Sequence, residues 1–357
     1  FCLTYGTSTF ATHLIGGEMT YQCLGYDSLS NTYAYEITLT VYRDCGPNNS
    51  LGTFFDDLAA IGVFQNNSLS EGFSIPYPGF FTTINTEIND PCLENPSSAC
   101  VQQAQYTRTI NLNFDDGPID ITYQRCCRNE SINNVIAGGS TGTTLTVHIP
   151  VPEAPGVCNS SPVFTGLPPA FVCLNNEVEL DFSAQDVDGD SLVYNLCTPF
   201  LGANQTVPAP STPSSPPYTP LSWAGSFNAL NPFNASPMVN LDSETGLLTG
   251  APTQTGIFTI GICVSEYRNG SLISTILRDY QIFVYNCPES TQASIAVESV
   301  EQSCGGLSIT FDNSSINSDA WFWDFGIDSI ASDTSNEFEP TFVFPETDIY
   351  TVMLIAN

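Results

Sequence analysis

The stretch Tyr35-Glu36-Ile37-Thr38-Leu39-Thr40-Val41 decides the fold class, because apolar and polar residues alternate along it without a break. Successive side chains of a strand point to opposite faces, so a period of two marks a strand buried on one side only. The same pattern sets Tyr106, Ile110, Leu112 and Phe114 against Thr107, Thr109, Asn111 and Asn113. It sets Leu145, Val147 and Ile149 against Thr144, Thr146 and His148, and recurs over residues 258–264 and 276–284. Helical spacing is almost absent, and clusters of Gly, Pro and Asn separate the runs. The chain is therefore expected to be all-β, built from antiparallel β-sandwiches.

A length of 357 residues suggests two or three domains. Pro150, Pro152 and Pro155 read as a stiff linker closing a first unit, and a second break follows Cys287 and Pro288. The expectation is three tandem Ig-like sandwiches, residues 1–152, 153–287 and 288–357, stapled by disulfides. Residues 207–220 are Pro-rich and read as a polyproline-type surface loop. Residues 1–11 fit either the end of a signal peptide or an N-terminal strand, which could also serve as a donor segment.

Charge narrows the partners. Acidic residues number 37 and basic ones 6, a formal net charge of −31, and every basic residue is Arg. Such a surface repels phosphate backbones and anionic membranes. Without Lys there is no Schiff-base chemistry, no P-loop and no Lys–Asn crosslink. Divalent cations are compatible with it. No apolar run is long enough to span a membrane as a helix. The 13 Cys point to an oxidising compartment and to disulfides rather than a metal, since no C-x-x-C occurs and His13 and His148 lie far apart. Cys2 is the natural odd one out. Spacing does not reveal connectivity; Cys92–Cys100 is the one local pair expected, and Cys126 and Cys127 are expected to join separate bridges. Asn-x-Ser/Thr sequons at Asn48, Asn66, Asn129, Asn159, Asn204, Asn234, Asn269 and Asn313 are compatible with a secreted surface.

Arg43, Arg108, Arg125, Arg268 and Arg278 fall in the apolar phase of their strands. A guanidinium there must reach an edge, mark a bulge or pair with a carboxylate, and structural ion pairs are expected, with Asp44, Glu266 and Asp279 among the candidate acids.

Asp186-Val-Asp188-Gly-Asp190-Ser-Leu192 is the clearest ligand-type cluster. Three carboxylates at alternate positions around a Gly can converge on a hard cation such as calcium; an acidic Asx-turn is the competing explanation. With Asp242-Ser-Glu-Thr-Gly-Leu-Leu-Thr-Gly250 downstream, this region, about residues 159–287, resembles the cadherin-like, Ig-like domains of bacterial surface proteins. That resemblance implies a β-sandwich with structural or adhesive duty and variable calcium. Trp321-Phe-Trp-Asp-Phe-Gly326, with the closing strand through Tyr350, Val352 and Leu354, resembles a PKD domain and implies Trp323 and Phe325 in its core. It departs from the family's pattern at Ile327-Asp328, Phe342 and Asp348, which weakens any metal or ligand role. The stretches THLIGGEMTYQCLG, YEITLTVYRDCG, QRCCRNESINN and EYRNGSLISTILRDYQ resemble large secreted proteins of Bacteroidetes. Many of these are exported by the type IX system and associated with gliding motility, which implies a secreted cell-surface protein.

Enzyme readings fail one at a time. His13 and His148 have no nucleophile signature beside them, and acidic pairs such as Asp56-Asp57 and Asp115-Asp116 are inevitable among so many carboxylates. The expected function is an extracellular structural or adhesive one, without catalysis, self-associating into an assembly such as a fibre or engaging a surface target. The alternative is an ancillary glycan-binding protein in which Tyr218 and Trp223 stack on sugars; the competing reading, preferred for these two side chains, is that they pin the Pro-rich loop to the sandwich.

Overall fold

The computed structural model describes residues 14–45, 55–84, 100–287, 291–296, 307–327 and 332–357. They divide into two compact units: a larger one that takes in the described residues up to Asn286, and a smaller one from Cys287 to Asn357. Among the described residues there is no α-helix, only one 3-10 turn at Gly138–Ser140, so the all-β expectation stands.

In the larger unit the first strands are β1 (Leu14–Asp27), β2 (Thr32–Asp44), β3 (Leu58–Gln65), β4 (Ser68–Pro76), β5 (Thr82–Ile84), β6 (Val101–Leu112), β7 (Ile119–Arg125) and β8 (Thr143–Ile149). They continue as β9 (Val163–Phe164), β10 (Phe171–Cys173), β11 (Val178–Asp181), β12 (Ala184–Gln185) and β13 (Ser191–Cys197). The unit ends with β14 (Asn240–Leu241), β15 (Leu247–Gly250), β16 (Gly256–Arg268) and β17 (Ser271–Tyr285). An eight-stranded sheet runs β13-β16-β17-β1-β2-β6-β5, with β10 added in parallel to the end of β17. A four-stranded sheet runs β4-β3-β7-β8, and a three-stranded one β11-β15-β14.

The alternating phases hold. Tyr35, Ile37, Leu39 and Val41 are buried, as are Tyr106, Leu112, Leu145, Val147 and Ile149. They join Ile260, Ile262, Val264, Tyr280 and Ile282 in a single continuous core.

That continuity corrects the expected layout, because the boundary at residue 152 falls inside the larger unit. The cause is β1. It lies between β2 and β17, so one sheet holds strands from both sides of the Pro150–Pro155 stretch. Gly16 permits this approach: its φ is +153°, and a Cβ there would sit 2.0 Å from the Asp279 carbonyl oxygen. β1 and β17 are antiparallel, with Gly17 opposite Asp279, and Gln281 Nε2 donates to the Leu14 carbonyl at 2.9 Å. The Leu14 end of β1 and the Tyr285 end of β17 therefore lie at one end of neighbouring strands, here called proximal. The β1–β2 hairpin, the β16–β17 hairpin and the loop of residues 186–190 lie at the opposite, distal end.

Five Arg in apolar phase were expected to pair with acids, and among the described residues Arg125 pairs with Asp56 at 2.9 Å, Arg268 with Asp190 and Arg278 with Glu18, each at 2.6 Å. Arg278 is held protonated: burial opposes its charge, but Glu18 and the adjacent tyrosines more than compensate. Arg43 packs over Phe55 and bonds Gln102, while Arg108 reaches the edge, stacks on Phe73 and donates to the Ser74 carbonyl. Of the candidate acids Asp279 forms such a pair, and it does so with Arg128, which lies outside the alternating runs. The Arg128–Asp279 pair is fully buried and is completed by Thr143, whose hydroxyl donates to Asp279 at 2.6 Å.

Three of the disulfides are long-range. Cys23–Cys158, Cys45–Cys100 and Cys197–Cys263 close loops of 135, 55 and 66 residues. The expected Cys92–Cys100 pair is thereby excluded, since Cys100 is joined to Cys45; Cys92 lies outside the described residues, as does Cys2. Cys126 and Cys127 are bonded to each other and not to separate partners. Disulfides in this number belong to an oxidising environment. Among the described residues no helix is long and apolar enough to cross a membrane.

In the smaller unit Trp321–Asp324 pairs with Thr334–Ser335 and Met353–Ala356, and Leu307–Thr310 pairs with Thr341–Phe344. Trp323 and Phe325 are buried with Phe311 and Phe344, as expected of core residues. The last strand begins later than expected, at Met353; Tyr350 and Val352 precede it and pack against the same cluster.

Candidate functional site

Loop 186–190 connects β12 to β13 at the distal end and folds around its own first carboxylate. Asp186 Oδ1 accepts the N–H groups of Asp188 at 3.0 Å and Asp190 at 2.9 Å, an Asx-turn, and Gly189 turns the chain at φ +83°. The three Asp bring one oxygen each within 4.8 Å of one another, so the spacing expected from sequence is realised.

They are not equivalent. Asp190 gives both oxygens to Arg268, at 2.8 Å to Nε and 2.6 Å to Nη2. That bidentate pair neutralises it. Asp188 Oδ2 accepts the Ser160 N–H at 2.6 Å. Asp186 Oδ2 is buried and has no hydrogen-bond partner.

Beneath Asp186 lies Glu266, a residue of β16 that is 0% exposed. Its Oε1 accepts from Ser274 Oγ at 2.6 Å and from Asn159 Nδ2, whereas its Oε2 is buried without a partner. The Glu266 and Asp186 carboxyls lie within hydrogen-bonding reach of each other. Burial pushes the Glu266 carboxyl up to about pKa 8; the charge of Asp186 adds to this, while the bonds from Ser274 and Asn159 oppose it.

Asn159 completes the arrangement: its Oδ1 accepts from Arg268 Nη2 at 2.7 Å while its Nδ2 serves Glu266. It is buried, so this sequon is not available for modification in the folded chain. Ser160 and Ser161, next along, accept the Cys23 and Tyr21 N–H groups, and the Cys23–Cys158 disulfide lies alongside. The loop is thus fastened to β16 and, through residues 158–161, to β1.

Sequence reading found the three Asp and missed Glu266 and Asn159 as their companions. A signal existed for Glu266. It continues the buried face of Phe258, Ile260, Ile262 and Val264 at the same parity, where a lone carboxylate needs a reason to be.

Tyr218 and Trp223, the aromatics that either stack on sugars or pin the Pro-rich loop, do the latter. Tyr218 bonds Thr122 Oγ1 at 2.5 Å and packs on Phe200. Trp223 donates to Thr198 Oγ1 and packs against a cluster of Ile132, Val135 and Leu221. Both pin the Pro-rich loop to the body. A second concavity lies over the polar face of β1, β2 and β6, lined by Thr20, Thr38, Thr40, Gln105 and Thr107, with the Glu18–Arg278 pair at one side.

No protein-family model matches the chain, and no curated protein matches it.

Proposed function

We propose that the chain is a non-catalytic structural or adhesive part of a secreted cell-surface protein, with the larger unit as its binding head. The observation that supports this is the polarity of the described sheet: the Leu14 end of β1 lies beside the Tyr285 end of β17, and the acidic loop 186–190 lies at the opposite end of the neighbouring strands. Long-range disulfides and buried ion pairs suit a body that must persist outside the cell. The sequence resemblance to secreted Bacteroidetes surface proteins supports the same reading. Self-association through edge strands fits it as well: β4 is an edge of its sheet and exposes Leu69. Electron microscopy of natively secreted, unreduced material tests the proposal. Cell-attached particles or regular assemblies are expected; material that stays free of cells and monodisperse would overturn it.

The glycan-binding alternative moves to the polar concavity over β1, β2 and β6, where hydroxyl and amide groups could engage a neutral sugar. Glycan-array binding that is lost in Gln105→Ala with Thr107→Ala would favour it, and binding unaffected by that pair would end it.

A further inference from the structure

We infer that the cleft over β1, β2 and β6 seats a neutral disaccharide unit, held at its deep end by the hydroxyls of Thr20, Thr38 and Thr40 and by the Glu36 carboxylate. The inference deepens the glycan reading above and rests on it, and it serves an adhesive head equally. Strand register builds the floor. Thr20, Thr38 and Thr107 stand opposite one another across the three strands, with Glu18, Thr40 and Gln105 in the row on one side and Gln22 and Glu36 in the row on the other. Each three-strand row spans about 10 Å. The cleft has a volume of about 510 Å³, the size of a small-ligand site.

Polar groups without partners point to a ligand. Thr40 is 3% exposed and Thr20 9%, yet neither hydroxyl bonds to a described residue, and the same holds for Thr38, Thr107 and the Gln105 amide. The outer face of β7 and β8 carries the same residue types and gives the contrast. There Thr122 bonds Thr146 and Tyr218, and Gln124 bonds Ser214, so the Pro-rich loop satisfies the face. Over β1, β2 and β6 no described segment does so. A buried hydroxyl left unpaired is costly, and a polyhydroxyl ligand both donates to such groups and accepts from them.

The wall of the cleft is braced. Arg278 gives Nε and Nη2 to Glu18 and Nη1 to the Gly166 carbonyl at 2.6 Å, and it lies under the Phe164 ring. Residues 163–167 are thereby fixed beside the floor, with Val163 and Leu167 as an apolar side for the C–H face of a sugar ring. Glu18 is taken up by Arg278, whereas Glu36 has no ion-pair partner among the described residues. A free carboxylate accepts sugar hydroxyls and repels anionic sugars. Tyr42 and Phe164 are buried, so ring stacking contributes nothing and weak, hydrogen-bonded recognition is expected.

The test uses the full oxidised chain and ligand-observed saturation-transfer NMR with maltose, cellobiose and lactose, against digalacturonic acid as the anionic control. At least one neutral sugar should give a signal and the acid none; an equal response to the acid would contradict the role given to Glu36. Thr40→Val keeps the shape, removes one hydroxyl and should weaken binding at least about fivefold. Thr38→Trp fills the cleft from a half-buried position and should abolish binding, and it decides alone if Thr40→Val fails to fold. Thr122→Val, on the covered face, should leave binding unchanged. Binding that needs Gln105 and Thr107 but is undiminished in Thr40→Val and Thr38→Trp would leave the glycan reading standing and overturn this seat. Silence from all three neutral sugars would also overturn it, and a blank glycan array besides would end the glycan reading itself.

Discussion

The two units hold themselves together by different means. The larger unit contains every Arg of the chain, and buried ion pairs, long-range disulfides and a continuous core join segments more than a hundred residues apart. The smaller unit has acidic residues but no Lys, Arg or His, so salt bridges between its side chains are impossible. Its described core is a set of stacked and edge-on aromatics, Phe311, Trp323, Phe325 and Phe344, flanked by Phe342 and Tyr350. The difference shows where a chain with few basic residues deploys them: at places where a strand must be locked against a distant partner. The described core of the smaller unit relies on aromatic packing instead.

Perturbations should separate the two. The largest effect is expected from Trp323→Ala, which removes the biggest fully buried side chain of the smaller unit. A loss of about 3–5 kcal/mol is enough to unfold so small a body, and calorimetry should show its transition vanish while that of the larger unit stays put. Next comes Arg128→Met. It strands the fully buried Asp279 carboxylate and should cost about 3–5 kcal/mol, lowering only the transition of the larger unit. Cys23→Ser opens the 135-residue loop and should cost about 2–5 kcal/mol, read by denaturant melts against the oxidised wild type.

A smaller contrast should appear in alkali. Burial, with nearby carboxylates such as Glu18 and Asp56 adding, holds Tyr42 and Tyr123 of the larger unit protonated well above the ordinary tyrosine range, and burial does the same for Tyr280. Above about pH 10 the unfolded chain loses these protons while the folded one keeps them. Stability must therefore fall as pH rises through that range. Phenolate absorbance should lag until the larger unit unfolds and then rise abruptly; smooth titration of all tyrosines while folded would refute the burial argument. The smallest effect belongs to Arg108→Met, whose exposed guanidinium reaches an edge carbonyl and a ring face; under about 1 kcal/mol is expected.

Much of this architecture was legible in the sequence, because strands buried on one face advertise it. β2, β6 and β8 alternate cleanly, and their inward residues are those the alternation selects. β1 was not legible as the strand at the centre of the fold. Its first eight residues are buried on both faces and include Gly16 and Gly17, so alternation is lost where the strand matters most. The Pro150–Pro155 stretch misled for a related reason: proline stiffens a segment but does not say whether the sheets on either side are shared. Disulfide partners such as Cys45–Cys100 depend on that long-range pairing of β2 with β6 and have no local signature. At the site, the loop carboxylates were visible as a motif, whereas Glu266 and Asn159 reach them only through the fold.

The claim that most needs testing is that the larger unit is one body. Hydrogen exchange of the oxidised full chain, followed peptide by peptide across a denaturant series, addresses it directly. Peptides from β2 and β8 and peptides from β16 and β17 should lose protection together, at one denaturant concentration. Loss in two steps divided near residue 152 would mean two separate sandwiches and would contradict the account.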